Sequence, residues 1–595
     1  MFPTNGHPFQ TLREGMRLPM PLPKLSAVSV MLASLALFAI PAHANLNPQQ
    51  SAAILKAYDG SDPADFKQFI DKLANSELAK ADKLDETLKA YLTGKPLAAE
   101  QQNEINRLLG LYTRIKYGKA ATETLRELVE IPTFQVEGLP QHENPEFHKI
   151  ADKIKALAES FGLEFRNIDN RVYEITLGEG KEVIGIHAHA DVVPVNPDNW
   201  KLEDGTRLDP FKVTLVGDRM YGRGTEDDKN GIVVALYALK VAKDEKLPLA
   251  RQFKLLVDTT EETSGDAIPY YFARNATPDY NLALDGGYPV VIAEKGYGTV
   301  MASFSKRAGE GKGAEVINLT GGLATNQIPT TSVATLIGDH PADLARRLKK
   351  AGNEYRKANG KDFKIDTVVS GKQVILTVTG VSAHSSSPQS GVNPVARMLD
   401  FLNGLGDRVP LKHNHITDAA RYAADNWGLD YLGTKLGVGF KDDFMGPLTA
   451  SLTYVGLDQK ALKLAVNLRI PKGKPIDTIK DELADKLGDW ARTSHTSVAF
   501  EYTLDEPMYR NPEGEWVKAL LDVATENLGL PHEFGTSAGA TSVHDLPNGV
   551  QFGLSMPGVK YTGHNDNEFK TVEQFMLDLQ VISEMVARIG QMPKL

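Results

Sequence analysis

The stretch that decides the fold is VIGIHAHADVVP, residues 183–194. Its first residues are apolar and rich in β-branched side chains, which predicts a short buried strand that Pro194 ends. Residues two apart on an extended chain face the same side, so His189 and Asp191 are expected to meet at the strand's end. Asp191 is then placed to orient a metal-ligating imidazole. Taken alone, the pattern also fits an ordinary strand end with an incidental histidine.

Strand and helix patterns alternate around this stretch. Apolar strand patterns recur at residues 171–177, 253–258 and 281–285, and helical patterns cover 122–129 and 148–161. This alternation predicts an α/β fold in which a mixed sheet lies between helices. In open α/β sheets, ligand sites form at the carboxyl ends of the strands. The polar residues at or just after such ends are His189, Glu261, Glu262 and Asp285.

The length of the chain predicts more than one domain, because 595 residues far exceed the ~150 residues of a typical domain. The strand ends carry no acidic clusters between residues 296 and 506, and we interpret this segment as an inserted α+β domain. The flanking segments, 119–295 and 507–595, are predicted to form one domain together. Residues 45–118 are polar with helical patterns and are predicted to be an N-terminal helical extension.

The first 44 residues have the pattern of a cleaved signal peptide. A basic start is followed by an apolar run at residues 25–40 and by the small-x-small sequence AHA at 42–44. A membrane anchor is the alternative, but the apolar run is shorter than the ~20 residues of a spanning helix. We therefore expect an exported protein, periplasmic or secreted, with no stable membrane insertion after cleavage.

The composition excludes several classes of site. The chain has no cysteine, which excludes disulfides, thiol catalysis and thiolate metal ligands, so a bound metal must use His, Asp and Glu. The net charge of −10 is spread along the chain and argues against a nucleic-acid-binding surface.

Acidic clusters recur downstream of the opening stretch. Asp227 and Asp228 follow a glycine-rich turn, Glu261 and Glu262 follow an apolar strand, and Asp285 ends another strand. The last cluster is TGHNDNE at residues 562–568, and it contains His564. Each cluster alone fits an exposed turn. Together they predict a two-metal hydrolytic site, because imidazole and carboxylate donors suit Zn²⁺ or a similar ion better than Ca²⁺.

The ordered motifs resemble those of the M20 family of metallopeptidases. The resemblance rests on HADVVP at 189–194, GRG at 222–224 followed by DDK at 227–229, and Glu261-Glu262. Asp285, with YPV at 288–290 and EKG at 294–296, is similar to the PepV-like dipeptidase branch of that family. The resemblance covers roughly residues 120–595. It implies a zinc-peptidase-type catalytic domain, with the insertion as a lid domain.

The resemblance also implies roles for individual residues. His189 and Asp285 would bind one zinc ion, Glu262 and His564 the other, and Asp227 would bridge them. The Asp227–Asp228 peptide would be cis, Glu261 would be the general base, and Asp191 would orient His189. Mn²⁺ or Co²⁺ are possible substitutes for the two Zn²⁺ ions. His187 shares the strand face of His189 but lacks the Asp two residues on, and it is interpreted as structural.

In the lid, three positions match residues that contact substrate in the family. His384, in SAHS at 382–385, would polarise the scissile carbonyl. Asn326 would hold polar groups of the substrate, and Arg469 would bind its terminal carboxylate, which a planar guanidinium suits. One departure stands out: His544 occupies the place of an arginine in a family loop, which puts the grip on the substrate's end in question.

The predicted function is a metal-dependent dipeptidase that acts on small peptides, and the chain is expected to be a monomer. The nearest alternative is a carboxypeptidase or an N-acyl-amino-acid deacylase with the same site. A non-catalytic periplasmic binding protein would lack the base or the bridging ligand, and both are present. A two-metal phosphatase would share the carboxylates, but no phosphate cradle is visible.

Overall fold

The computed structural model describes residues 46–81 and 84–595, so the predicted signal peptide lies outside the described residues. No helix in this part of the chain combines the length and the apolar character needed to cross a membrane. The α-helices are α1 Pro48–Ala57, α2 Phe66–Ala74, α3 Glu77–Ala81, α4 Asp85–Leu92, α5 Ala99–Val129, α6 Pro145–Ser160, α7 Lys229–Asp244, α8 Ala267–Phe272, α9 Pro341–Asn359, α10 Pro394–Asn403, α11 His415–Asn426, α12 Ile476–Thr493, α13 Glu515–Leu528 and α14 Val572–Gln591.

The strands fall into two large sheets and several short ribbons. The strands before the insertion are β1 Glu164–Ile168, β2 Val172–Leu177, β3 Val183–His189, β4 Thr214–Val216, β5 Arg219–Tyr221, β6 Gln252–Asp258, β7 Tyr280–Ala283, β8 Gly286–Gly287 and β9 Val291–Glu294. Those of the insertion are β10 Gly296–Ser305, β11 Glu315–Gly321, β12 Gln327–Ile328, β13 Thr331–Ile337, β14 Lys364–Ser370, β15 Gln373–Thr379, β16 Ala383–His384, β17 Lys441–Asp442, β18 Gly446–Pro447, β19 Thr449–Leu457, β20 Ala461–Ile470 and β21 Ala499–Leu504. Those after it are β22 Met508–Tyr509, β23 Gly535–Ser537, β24 Val550–Gln551, β25 Leu554–Ser555 and β26 Phe569–Thr571.

The first sheet has the order β1-β2-β6-β3-β7-β24-β9-β22, with β23 beside β9. Its central strands β6, β3, β7 and β24 run parallel, while β1, β2 and β22 pair antiparallel with their neighbours. Strand β9 pairs antiparallel with β24 and β22 and parallel with β23. The predicted mixed sheet in an α/β fold is therefore confirmed. Because parallel strands end at one edge, the residues after β3, β6 and β7 are brought together there.

The second sheet is antiparallel, in the order β14-β15-β13-β11-β19-β20-β10-β21. The chain enters it at Gly296, directly after β9, and leaves it after Leu504. Its alternating buried positions pack with α9, α10, α11 and α12 into a hydrophobic core of their own. The first sheet has a separate core with α5, α6, α7, α13 and α14.

The N-terminal segment packs onto the helices beside the first sheet. Helix α5 runs without a break through residue 118, the predicted end of the extension, and packs against α7 and α14. Arg107, on this helix, is 2% exposed and forms ion pairs with Glu526 and Glu584. The apolar cluster of this segment also includes Val241 of α7 and Ala587 of α14. The extension thus shares a core with the domain that follows it.

Candidate active site

The carboxyl edge of the first sheet assembles the predicted metal ligands. His189 is the last residue of β3, Glu261 and Glu262 lie in the turn after β6, and Asp285 follows β7. Asp227 comes from the loop that enters α7, across the same edge. Because β3 pairs in parallel with both β6 and β7, the three strand ends lie side by side. Residues that are far apart in the sequence therefore converge.

Asp227 lies between the two histidines. Its Oδ1 is 2.9 Å from His189 Nε2, and its Oδ2 is 3.1 Å from His564 Nε2. Glu262 Oε2 is 2.9 Å from His564 Nε2, and Asp285 Oδ2 is 3.9 Å from His189 Nε2. One oxygen of Asp227 thus faces each half of the cluster, which is the arrangement that a bridging ligand needs.

The cluster holds more acidic groups than cationic ones. Burial, the nearby Asp227 and the other acids raise the pKa of Asp285 to about 7, and burial followed by neighbouring carboxylates also raises the pKa values of Glu261 and Glu262. Burial opposes the charge on His564, but its hydrogen bonds to Asp227 and Glu262 outweigh burial and raise its pKa to about 11. Closely spaced carboxylates that repel one another, beside imidazole nitrogens, form a donor set that fits divalent transition ions.

The loop that carries Asp227 is held by its neighbours. The Asp227–Asp228 peptide is cis, as the resemblance implied. The Asp228 side chain caps α7 by accepting from Gly231 N, and a Cβ at Gly231 would lie 2.3 Å from Asp228 Oδ1, so glycine is required there. Asp228 Oδ2 also accepts from His189 N at 3.3 Å. Asp228 therefore couples the loop to the end of β3.

Glu568 is a positioning residue that the sequence analysis did not single out. One of its oxygens accepts hydrogen bonds from the backbone N–H groups of Gly224, Glu226 and Asp227, at 2.8–3.1 Å. The other oxygen pairs with Arg223 at 2.6 Å, and both side chains are buried. The sequence does contain both members of this ion pair in its motifs: Arg223 lies in the GRG motif and Glu568 in the last cluster, and neither has a predicted role.

Asp191 contacts His189, and its backbone carbonyl lies closer to the imidazole than its carboxylate does. His189 Nδ1 lies 2.9 Å from the backbone carbonyl of Asp191, whereas the nearer carboxylate oxygen of Asp191 is 3.5 Å away. The carboxylate instead accepts from the backbone N–H groups of Glu261, at 3.2 Å, and Glu262, at 3.0 Å. Asp191 thus positions the imidazole with its main chain and the acidic turn with its side chain.

His187 lies outside the ligand cluster. Its Nε2 is 3.0 Å from Asn281 Oδ1 inside the sheet. Burial lowers its pKa to about 4, which keeps the imidazole neutral. The structural interpretation of His187 is consistent with this position.

The lid positions lie on neighbouring elements of the second domain. His384 pairs with Gln327 across the β12–β16 ribbon, and the Asn326 carbonyl accepts from Ser385 N at 2.9 Å. Partial burial, with the charges of Arg469 and His564, lowers the pKa of His384 to about 4.

Arg469 is a buried cation that forms no ion pair with the described residues. It is 6% exposed, its Nε donates to Asn467 Oδ1 at 3.2 Å, and its Nη2 lies 3.5 Å from Ser385 Oγ. Among residues 46–81 and 84–595, no carboxylate forms an ion pair with it. Burial lowers its pKa. A buried guanidinium without a counter-charge is costly, so an anion from outside the chain fits this position.

This chain is similar to known proteins over most of its length. The chain is 26% identical over 446 residues to a putative dipeptidase, YtjP, of Bacillus subtilis, covering 73% of this chain and 89% of the relative. It is 27% identical over 437 residues to a Beta-Ala-Xaa dipeptidase of Lactobacillus delbrueckii subsp. lactis, covering 73% and 87%. Human carnosine dipeptidase 1 superimposes with a TM-score of 0.47 at 13% identity, over 84% of this chain and 100% of that structure.

The chain also matches the sequence pattern of a whole protein family. The match spans residues 185–588, which is more than half of the chain and includes the ligand cluster and the insertion. The resemblance predicted from the motifs is confirmed: the chain belongs to peptidase family M20/M25/M40.

Proposed function

We propose that this protein is a metal-dependent dipeptidase that hydrolyses the peptide bond of short peptides. The observation that carries the proposal is Asp227, which presents one oxygen to each of two histidines amid further carboxylates. The proposal is also supported by relatives that are named dipeptidases and align over most of their own length.

We propose two Zn²⁺ ions as the cofactor, with Mn²⁺ or Co²⁺ as substitutes. The residues that would hold them form two half-sites joined by Asp227: His189 with Asp285, and Glu262 with His564. When bound, such ions lower the pKa of water toward ~7 and polarise a carbonyl group. The excess of acidic side chains in the cluster fits a double positive charge in each half.

Glu261 is proposed as the general base. Its backbone N–H is fixed by the Asp191 carboxylate, so its side chain starts from a defined point beside the cluster. It would remove a proton from the attacking water and later deliver that proton to the leaving amine. Glu262, the next residue, contacts His564 instead, so the adjacent acids have different tasks.

The lid is proposed to recognise the substrate's terminal carboxylate and its scissile carbonyl. His384 would donate a hydrogen bond to the carbonyl oxygen as negative charge develops there, an interaction that is stronger in the transition state. Arg469 would bind the terminal carboxylate in a bidentate manner, and Asn326 would contact polar groups beside it. The scissile carbonyl and the carboxyl end of a short substrate would thereby be held. Export, a small-peptide partner and a monomeric state remain part of this proposal.

Hydrolysis of a substrate panel tests the proposed function. The panel contains dipeptides, tripeptides and N-acetyl amino acids, and it is assayed before chelation, after chelation and after addition of Zn²⁺ or Mn²⁺. We expect dipeptide cleavage that chelation abolishes and metal restores, with tripeptides resistant. Cleavage of tripeptides or N-acetyl amino acids in place of dipeptides would identify the carboxypeptidase or deacylase alternative. No cleavage at full metal occupancy would contradict all three.

A further inference from the structure

His544, the residue that departs from the family loop, is buried between the two connections that join the domains. It is 6% exposed. Its Nδ1 lies 2.7 Å from Glu294 Oε2, and its Nε2 lies 2.8 Å from the backbone carbonyl of Glu506. Both ring nitrogens are therefore engaged by residues distant in sequence.

Each of the two partners of His544 lies on one of these connections, the interdomain crossings. Glu294 ends β9, two residues before Gly296 in the lid, and Glu506 lies on the return path just before β22. The crossings run against each other: a Cβ at Gly296 would lie 2.3 Å from the Asp505 carbonyl oxygen. One imidazole thus contacts both chains on which the lid is carried.

The hydrogen bonds indicate that the imidazole is charged. A carbonyl oxygen only accepts, so Nε2 must donate to Glu506. The Glu294 carboxylate also accepts from Thr541 Oγ1 at 2.8 Å and from Gln551 Nε2 at 2.6 Å, an environment suited to its ionised form. Nδ1 therefore donates as well, which makes His544 an imidazolium.

The other groups around the ring agree with this charge. Burial opposes it, but the hydrogen bonds to Glu294 and the Glu506 carbonyl outweigh burial and raise the pKa of His544, and Asp545 adds attraction. Arg510 approaches only the backbone, where its Nη2 donates to the His544 carbonyl at 3.0 Å. Tyr297 presents its ring, with centroids 5.8 Å apart.

Tyr297 links His544 to the substrate-binding arginine. It lies on β10 directly opposite Arg469 of β20, and the Arg469 guanidinium carbon is 5.8 Å from the centroid of its ring. The ring of Tyr297 therefore has His544 against it and Arg469 above it. A shift of His544 reaches Arg469 through one side chain.

We propose that His544 is a positioning residue that ties the two interdomain crossings together and supports Tyr297, and so sets where Arg469 holds the substrate's carboxylate. The inference rests on the proposed function of Arg469. It predicts that loss of the ring weakens the grip on substrate more than it changes the chemical step.

Steady-state kinetics on a dipeptide test the positioning role. We expect His544→Gln to raise KM about tenfold, the worth of one charge-assisted hydrogen bond, with kcat within about twofold. His544→Arg restores a charged donor and should recover most of the affinity. Tyr297→Leu should reproduce the rise in KM, while His532→Gln, an exposed histidine of the catalytic domain, should leave it unchanged. An unaltered KM in both His544→Gln and Tyr297→Leu, or an equal loss of kcat, would overturn the proposal.

A distance measurement separates this inference from the proposed function. Because the chain has no cysteine, Glu203→Cys and Lys372→Cys, both exposed, allow spin labels to be placed in the catalytic domain and the lid. We expect a narrow interdomain distance distribution that broadens in His544→Gln and narrows again in His544→Arg. This result is read without any turnover, so a parent protein that cleaves no dipeptide refutes the proposed function alone. An unchanged distribution in His544→Gln refutes the tie between the crossings.

Discussion

The two walls of the proposed active-site cleft are built differently. The ligand wall, defined as His189, Asp227, Glu261, Glu262, Asp285 and His564, is gathered mostly at the ends of neighbouring parallel strands. The lid wall, defined as Asn326, His384 and Arg469, combines a buried arginine with two exposed residues of a short ribbon. In the ligand wall, side chains contact one another. In the lid wall, His384 contacts Ser386 Oγ and Arg469 contacts Asn467 Oδ1, and Arg469 has no counter-charge within the described part of the chain.

This difference separates two tasks. A metal centre needs ligands fixed before substrate arrives, and a sheet edge whose backbone N–H groups donate to the carboxylates of Asp191 and Glu568 provides that. Substrate recognition needs groups whose partners are supplied by the substrate, as at Arg469. Substitutions in the ligand wall should therefore alter metal content or turnover, and those in the lid wall should leave the metal content intact.

The largest effect is expected at Glu261. Glu261→Gln keeps the shape of the side chain but cannot take up a proton, and we expect kcat to fall by about 10³-fold with metal content unchanged. Metal analysis and steady-state kinetics on the same preparation measure both quantities. Glu203→Gln, at an exposed site, is the matched control. Turnover retained in Glu261→Gln would remove Glu261 from the base role, and loss of a metal equivalent would make it a ligand.

His384 tests whether a lid residue contributes to chemistry. We expect His384→Ala to lower kcat by about 10²-fold, the usual effect of removing one donor to a developing oxyanion, with full metal content. His340→Ala, an exposed histidine on the same domain, is the control. A change confined to KM would assign His384 to binding and would make the contrast between the walls sharper than proposed.

Much of the ligand wall is predictable from the sequence because its signals are local. His189, Asp285 and the Glu261-Glu262 pair each stand at the end of an apolar strand pattern, and the order of the motifs identifies the set. Because these strands pair in parallel, the sheet brings their carboxyl ends together.

Other features depend on contacts that no local pattern carries. The polar pattern of residues 45–118 predicts a helical extension but does not indicate that Arg107 is buried, where Glu526 and Glu584 from the other end of the chain pair with it. The role of Glu568 depends on backbone N–H groups more than 300 positions earlier. The Asp191 carboxylate also accepts hydrogen bonds from the backbone N–H groups of Glu261 and Glu262, and the motif around Asp191 carries no signal for these contacts.

Metal removal should destabilise the ligand wall. Bound ions relieve repulsion among its carboxylates, and a ligand at 100 times its Kd stabilises a fold by about 2.7 kcal/mol. We expect chelation to lower the thermal unfolding midpoint, and metal addition to restore it. His564→Ala should bind one metal equivalent fewer and show a smaller shift, while His384→Ala should behave like the parent. An unchanged metal count in His564→Ala would contradict its assignment as a ligand.

Substitution of Arg469 should weaken substrate binding and leave the metal content unchanged. Arg469→Lys keeps the charge but loses the planar pair of donors, so we expect KM for dipeptides to rise about tenfold with kcat nearly unchanged. Arg408→Lys, on the exposed surface of the same domain, controls for the substitution itself. A dipeptide with an amidated C-terminus should bind the parent and Arg469→Lys equally. Discrimination that persists with the amide would mean that Arg469 contacts another part of the substrate.

The smallest effect concerns the connection between the walls. The pKa of His544 is raised in the folded protein, so its protonated form is favoured by folding. The resulting stabilisation, about 1.5 kcal/mol for a charge-assisted hydrogen bond, is fully present below the ordinary pKa near ~6.5 and is lost as the pH rises through the raised folded pKa. Denaturant unfolding of metal-loaded parent and His544→Gln, from about pH 6 to about pH 9, should show a stability difference that shrinks as the pH rises. The parent should become less stable than His544→Arg as the pH rises, because arginine keeps its charge at every pH in this range. A difference between parent and His544→Gln that does not vary with pH would mean that the imidazole is neutral, and the two domains would then be joined by packing rather than by charge.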